Sequence, residues 1–229
     1  MKEESNNLHN NSLIRSFGRI KSRKLSSPKN EVLDKLLPLY QIDFAKKTDN
    51  NSKKVLEIGF GFGDFLFAKA SNNLDKIFFG FEPHVNGYVN LLGKLEKNPL
   101  SNISFSTKDV RTELPKFCDD FFDEVYILFP DPWPKTKHFK RRLINADFLD
   151  NILSKKMKPE SKLIIATDHD SYKTWILSQI LNSKKFSWQA NSKNDWKIFP
   201  KDWITTKYQK KAVLEGRTSI ILNLSCQKD

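Results

Sequence analysis

The run Val125-Tyr126-Ile127-Leu128-Phe129 offers no polar side chain to water, and Pro130 stops it. A strand that is apolar on both faces has to be covered on both, which is the situation of an inner strand in a parallel sheet. Similar short segments recur along the chain. Strands are expected near 53–58, 76–81, 102–107, 123–129, 161–167, 185–190 and 217–225, with amphipathic helices at 63–71, 86–96, 141–156 and 171–182 and a shorter one between Arg111 and Phe117. This alternation predicts an α/β doubly wound fold with helices on both faces of the sheet. No internal repeat or linker interrupts it, so residues 31–229 read as one domain. Val32, Leu33, Leu36 and Leu37 add a short helix over 30–37, ending near Pro38. The stretch 191–211, with Trp196, Pro200, Trp203 and six lysines, reads as a long polar connection of the kind that carries function.

Composition excludes several alternatives. Eighteen Phe, five Trp and five Tyr in 229 residues are too much aromatic surface for a solvated coil. The longest apolar runs fall far short of the roughly 18 residues that span a bilayer, and Met1 to Ser12 holds no apolar leader, so a cytoplasmic protein is expected. Cys118 and Cys226 are far apart, and His9, His84, His138 and His169 form no i, i+4 pair, which argues against disulfides and metal sites. A net charge of +12 favours a polyanionic partner, nucleic acid first. Part of that charge lies in the run Arg15, Arg19, Lys21, Arg23 and Lys24, which makes residues 1–30 a basic, flexible N-terminal arm. Nothing in the sequence selects between a monomer and a homodimer.

The segment Val55-Leu56-Glu57-Ile58-Gly59-Phe60-Gly61-Phe62-Gly63-Asp64 is a buried strand entering a glycine turn that opens a helix. Glycines there permit a sharp turn and close approach of a ligand to the main chain. The third glycine comes one residue too early for a dinucleotide fingerprint. Glu57 is also an awkward neighbour for a pyrophosphate but a suitable one for a sulfonium or amine. Glu82 ends the next strand, where an acid accepts hydrogen bonds from ribose hydroxyls, and Asp109 follows the third, within reach of an adenine amino group. All three acids fall at carboxyl ends of strands. Together with the turn they favour S-adenosylmethionine over a nicotinamide cofactor.

Beyond the fourth strand comes Pro130-Asp131-Pro132-Trp133-Pro134-Lys135-Thr136-Lys137-His138-Phe139-Lys140-Arg141-Arg142. Three prolines fix φ and present Asp131 and Trp133 at a defined place. Five cations at the start of a helix would oppose its dipole, an unfavourable arrangement that points to an anionic substrate.

These motifs resemble the bacterial tRNA (guanine-N7)-methyltransferase family over about residues 50–224. The resemblance is carried by Leu56-Glu57-Ile58-Gly59-Phe60-Gly61, by Phe129-Pro130-Asp131-Pro132-Trp133-Pro134-Lys135 with Lys140-Arg141-Arg142, by Ala166-Thr167-Asp168, and by Thr206-Lys207-Tyr208. It implies a Rossmann-like class I methyltransferase fold: a mostly parallel seven-stranded sheet whose last strand is antiparallel. It implies methyl transfer from S-adenosylmethionine to N7 of a guanine in the tRNA variable loop, nucleotide 46. By the same resemblance Glu57, Gly59, Gly61, Glu82, Asp109 and Asp131 contact the cofactor, and Asp131 is the catalytic position. Lys135, Asp168, Thr206, Lys207, Tyr208 and Gln209 contact the guanine or its neighbours, and no metal takes part. Gln209 stands where the family usually has Glu, and Pro83 follows Glu82 where many members have an aliphatic residue. Trp133, Trp203 and Tyr208 are candidates to stack on the base, Trp203 being the one better suited to core packing. His169 and Asp170 read as a cap of the following helix.

Overall fold

A computed structural model describes residues 25–46, 49 and 51–228. The basic run at Arg15 to Lys24 lies outside the described residues. The elements follow in the order α1 (Ser27–Tyr40), β1 (Lys54–Ile58), α2 (Asp64–Ser71), β2 (Ile77–Phe81), α3 (Val85–Lys97), β3 (Ile103–Ser106), α4 (Val110–Glu113), β4 (Phe122–Leu128), α5 (Ser154–Lys156), β5 (Met157–Thr167), α6 (Asp170–Asn182), β6 (Phe186–Trp188), α7 (Lys207–Leu214) and β7 (Ile220–Cys226).

The seven strands form one sheet in the order β3-β2-β1-β4-β5-β7-β6. Strands β1 to β5 are parallel to one another, and β7 runs antiparallel between β5 and β6. Alternate residues along each strand feed two separate cores. Leu56, Ile58, Val125, Ile127, Leu163 and Ile165 join Phe148, Tyr172 and Ile176 on one face. Val55, Tyr126, Leu128, Ile164 and Ala166 join Leu36, Leu66, Leu91 and Leu92 on the other. This is why β4 carries no polar alternation: α1, α2 and α3 cover one side of the sheet and α6 with the 147–153 segment covers the opposite side.

The chain order reverses between β1 and β4, since β1 leads outward through β2 to β3 and the next strand returns to the other flank of β1. A crevice opens outside the carboxyl ends at such a switch point.

Three expectations are corrected. The helix expected over 141–156 is a 3₁₀ turn at Thr136–Arg141, an extended stretch, and a π-helix at Asp147–Leu153 running into α5. Arg142 and Ile144 both turn inward there, with 1% and 0% exposure, a pattern of period two that a helix does not supply. The basic cluster therefore opposes no long helix dipole. The stretch 191–211 is not one long connection, because α7 starts at Lys207 with Thr206 accepting a hydrogen bond from Gln209 N–H at 3.1 Å. Finally, α1 passes through Pro38 to Tyr40, the loss of one N–H near its end being offset by packing of Leu36, Leu37 and Tyr40 on the second core.

Candidate active site

At the switch point lies a cavity of about 420 Å³ lined by Gly59, Gly61, Glu82, Asp109, Asp131 and Tyr208, all six expected from the sequence. Its floor is the glycine turn. Gly59, Gly61 and Gly63 take φ of 75°, 54° and 71°, left-handed values that only glycine adopts without strain. The Gly59 and Phe60 amides donate back to the carbonyl of Phe81, and Gly61 N–H donates to Glu82 Oε2 at 2.8 Å. Glu82 Oε1 accepts from His84 N–H, also at 2.8 Å, so one carboxylate ties the turn after β1 to the start of α3. The approach is close: a Cβ on Gly87 of α3 would stand 2.5 Å from the carbonyl oxygen of Gly61 and 2.8 Å from Glu82 Cγ.

Burial raises the carboxyl of Glu82 above its ordinary range, against the pull of its two amide donors. Glu57 is more strongly displaced. It sits on β1 in register with Gly80 and Tyr126, 3% exposed, and burial followed by repulsion from Glu82 and Asp64 pushes its pKa up to about 8. Its Oε2 is buried with no hydrogen-bond partner among the described residues. Glu57 does not line the main cavity. It opens with Thr206, Lys207 and Tyr208 onto a smaller recess of about 20 Å³ behind the glycine turn.

Asp109 caps α4 through Arg111 N–H at 2.9 Å and holds the Arg111 guanidinium through both carboxylate oxygens, at 2.9 and 2.7 Å. Its adjacent Arg111 also lines the cavity. Asp131 stands at the mouth, with its carboxyl raised by partial desolvation and drawn back by nearby His84. The backbone around it is strained: Phe129 has φ 53° and Trp133 φ 41°, left-handed values that non-glycine residues keep only where surroundings hold them. Phe129 N–H is fixed by the carbonyl of Ala166 at 2.8 Å. Trp133 is covered by Arg141, whose guanidinium lies 4.9 Å from the ring centroid, and by the edge of His138 at 5.6 Å. Tyr208 reaches in from α7, its hydroxyl raised by burial and by the charges of Glu82 and Asp131.

The remaining expected residues stand apart from the cavity lining. Lys135 is exposed at the head of the 3₁₀ turn. Asp168, at the end of β5, is paired with Arg217 at 2.6 Å, and Arg217 also pairs with Glu215. Gln209 accepts a hydrogen bond from Trp203 Nε1 at 2.7 Å, and Trp203 packs on Phe65 and Phe199, as its core-packing assignment anticipates. Thr206 uses its hydroxyl oxygen to cap α7, and Lys207 lies 4.3 Å over the Phe62 ring. His169 occupies the cap position of α6, but its side chain makes no capping bond. Sequence reasoning missed His84, Gly87, Arg111 and Arg141 as cavity residues. The first three follow a predicted acid by two to five positions, which was a usable signal.

Among the described residues no cluster of His, Cys, Asp or Glu has the geometry of a metal site, and no helix is long and apolar enough to cross a membrane. Cys118 and Cys226 are unpaired thiols. The cavity thus sets a glycine turn beside three carboxylates, of which Asp109 is paired with Arg111 while Glu82 and Asp131 have no cationic side chain in ion-pair contact among the described residues. Such a site selects a ligand carrying hydroxyl donors and a positive charge.

The family model described as "Putative methyltransferase" matches residues 51–222. Three similar relatives are each named tRNA (guanine-N(7)-)-methyltransferase. The Hyphomonas neptunium protein is 37% identical, covering 86% of this chain and 93% of its own. That of Agrobacterium fabrum is 34% identical over 90% and 92%, and that of Wolbachia pipientis 35% over 94% and 96%. Solved structures show the same fold at low identity. An antibiotic-related methyltransferase has a TM-score of 0.52 at 20% identity, covering 91% of this chain and 98% of that one. A 16S rRNA (adenine(1408)-N(1))-methyltransferase from Catenulisporales acidiphilia has 0.53 at 14%, over 91% and 94%. With the fold, the glycine turn and the Pro-Asp-Pro-Trp loop in place, these matches over most of its length show that the chain belongs to the tRNA (guanine-N7)-methyltransferase family.

Proposed function

We propose that this chain transfers a methyl group from S-adenosylmethionine to N7 of a guanine in the tRNA variable loop, at nucleotide 46. The observation that carries the reading is the convergence of Glu82, Asp109 and Asp131 on one cavity beside the glycine turn, in a chain whose relatives bear that name.

The residues present fit this cofactor. The cavity lies in the range of roughly 300–1,000 Å³ that small-molecule sites occupy. The raised carboxyls of Glu82 and Asp131, both in the cavity lining, suit a cationic ligand. When bound, S-adenosylmethionine supplies a methyl group activated by a sulfonium. Gly59 and Gly61 give that ligand access to the main chain, Glu82 accepts from ribose hydroxyls, and Asp109 approaches the adenine amino group.

Guanine N7 has a lone pair and no proton, so the reaction requires no general base. The protein acts by positioning, which contributes roughly 7 to 11 kcal/mol when two reactants are held in line. Asp131, on its proline-stiffened loop, faces the positive charge that appears on the methylated purine. Asp168, oriented by Arg217, and Lys135 with Thr206, Lys207, Tyr208 and Gln209 hold the guanine and its neighbours. Exposed Lys137 and Lys140 and the basic arm of residues 1–30 hold phosphates, with residues 31–229 as the catalytic domain. tRNA processing places the protein in the cytoplasm.

The test is transfer of labelled methyl from S-adenosylmethionine to unmodified bulk tRNA, followed by nucleoside analysis and mapping of the modified position. Appearance of 7-methylguanosine in the variable loop is expected. Cofactor binding with no methylated tRNA would overturn the substrate reading and leave the fold untouched.

A further inference from the structure

The largest fully buried side chain in the structure is a charged one, Arg142, 1% exposed. No carboxylate among the described residues lies within ion-pair distance of it. Its guanidinium sits instead in a box of aromatic rings, 3.7 Å from the centroid of Phe139, 5.0 Å from Tyr172 and 5.1 Å from Trp175. Burying a cation without a counter-charge is costly, and an apolar side chain of similar volume would serve such a box at least as well for stability alone. The cost is tied to what the guanidinium grips. Nε donates to the carbonyl of Pro132 at 2.9 Å, and Nη2 reaches the carbonyl of Trp133 at 3.5 Å and Ser171 Oγ at 3.3 Å.

Pro132 and Trp133 directly follow Asp131, and Trp133 carries one of the strained backbone angles of the site. A left-handed tryptophan between two prolines has no regular secondary structure to hold it. Arg142 supplies the hold from beneath, while its own N–H closes the 3₁₀ turn on Phe139 at 3.0 Å. Tyr172 braces the same corner from α6 by accepting from Ile144 N–H at 3.3 Å.

We infer that Arg142 is a positioning residue for methyl transfer: by holding the Pro132 and Trp133 carbonyls from inside the aromatic box, it fixes where Asp131 and Trp133 stand at the mouth of the cavity. The inference rests on the proposed function for the reaction it serves, but the loop it holds is measurable without activity. A lysine, a point charge on a flexible stem, keeps the cation and loses the planar fork. A methionine fills the box and donates nothing.

The test uses the full chain, tRNA and S-adenosylmethionine. Arg142→Met is expected to fold, to bind S-adenosylhomocysteine and tRNA as the parent does, and to lose kcat about a hundredfold, the scale on which a small misplacement in a site acts. Arg142→Lys falls between the two. Hydrogen exchange at the hydrogen-bonded amides that bracket the loop, Phe129 and His138, accelerates in both variants. Should neither variant fold, Ser171→Ala, on an exposed residue, removes one acceptor and is expected to lower kcat about threefold and to loosen the same amides. A normal kcat with unchanged loop exchange, in whichever of these variants folds, overturns the inference. So does a kcat loss that comes with an equal loss of cofactor affinity. If the parent protein forms no 7-methylguanosine, the functional reading fails, while loop exchange still decides whether Arg142 holds the loop.

Discussion

Glu82 Oε2 accepts the Gly61 amide at 2.8 Å, so the acid at the end of β2 also fastens the glycine turn after β1. Its second oxygen takes the His84 amide at the same distance. The acid proposed to accept from ribose hydroxyls is thereby part of the scaffold that shapes the site. In Glu82→Gln one of the two amides would face an NH₂ group in place of an acceptor. The expected result is a loss of roughly 1 to 3 kcal/mol in urea unfolding, together with weaker binding of S-adenosylhomocysteine by calorimetry. Unchanged stability would show that the two hydrogen bonds do not matter to the fold.

Glu57 gives a pH dependence of stability with a definite sign. Its folded pKa of about 8 lies above the ordinary 4.5, so the folded state holds a proton that the unfolded state releases. Its contribution is complete below about pH 4.5 and is lost as pH rises towards 8, with a slope of at most about 1.4 kcal/mol per pH unit. Glu57→Gln, neutral at every pH, is expected to remove that slope from the ligand-free protein. Urea titrations at several pH values check it, and parallel curves for parent and variant would contradict the assignment.

Gly87 takes ordinary helical angles, so its requirement is space and not φ. A methyl group there meets the Gly61 carbonyl, which the turn cannot easily withdraw. Gly87→Ala is expected to cost about 1 to 3 kcal/mol and to weaken cofactor binding by pushing α3 off the turn. Gly93, in the same helix, has nothing within 4 Å of its virtual Cβ. Gly93→Ala is the control, expected to stabilise by about 0.5 to 1 kcal/mol.

The centre of the sheet was legible because β1, β2, β4 and β5 end in apolar runs stopped by Gly, Pro or an acid, and each expected strand has its counterpart within a few residues. Glu82, Asp109 and Asp131 meet because all follow strand ends at one switch point, which strand order predicts. The misread segments are those where packing overrules local pattern. Arg142 looks like a surface cation and is buried, so the 141–156 stretch passed for a continuous basic helix. Helix α7 has only Ala212 fully buried, and its lysines gave it the composition of a loop. Contacts such as Trp203 with Gln209 and Asp168 with Arg217 join residues that are individually unremarkable in sequence, and only the fold pairs them.

Asp131 and Lys140 belong to the same loop region but to different parts of the energetics. Asp131 lines the cavity, and in the proposed reaction its carboxylate acts where charge moves, so Asp131→Asn is expected to lower kcat by about 10²- to 10³-fold with tRNA affinity preserved. Lys140 is exposed on the 3₁₀ turn and lines neither the main cavity nor the recess beside Glu57, so Lys140→Ala is expected to leave kcat alone and weaken tRNA binding. A phosphate contact identifies itself by salt: removing one lowers the slope of log K against log salt by about 1. Binding measured over a range of potassium chloride concentrations separates the two residues. A kcat effect at Lys140, or an unchanged slope, would move that lysine out of the phosphate contacts, whereas near-parental turnover in Asp131→Asn would leave the catalytic position to be sought elsewhere in the cavity.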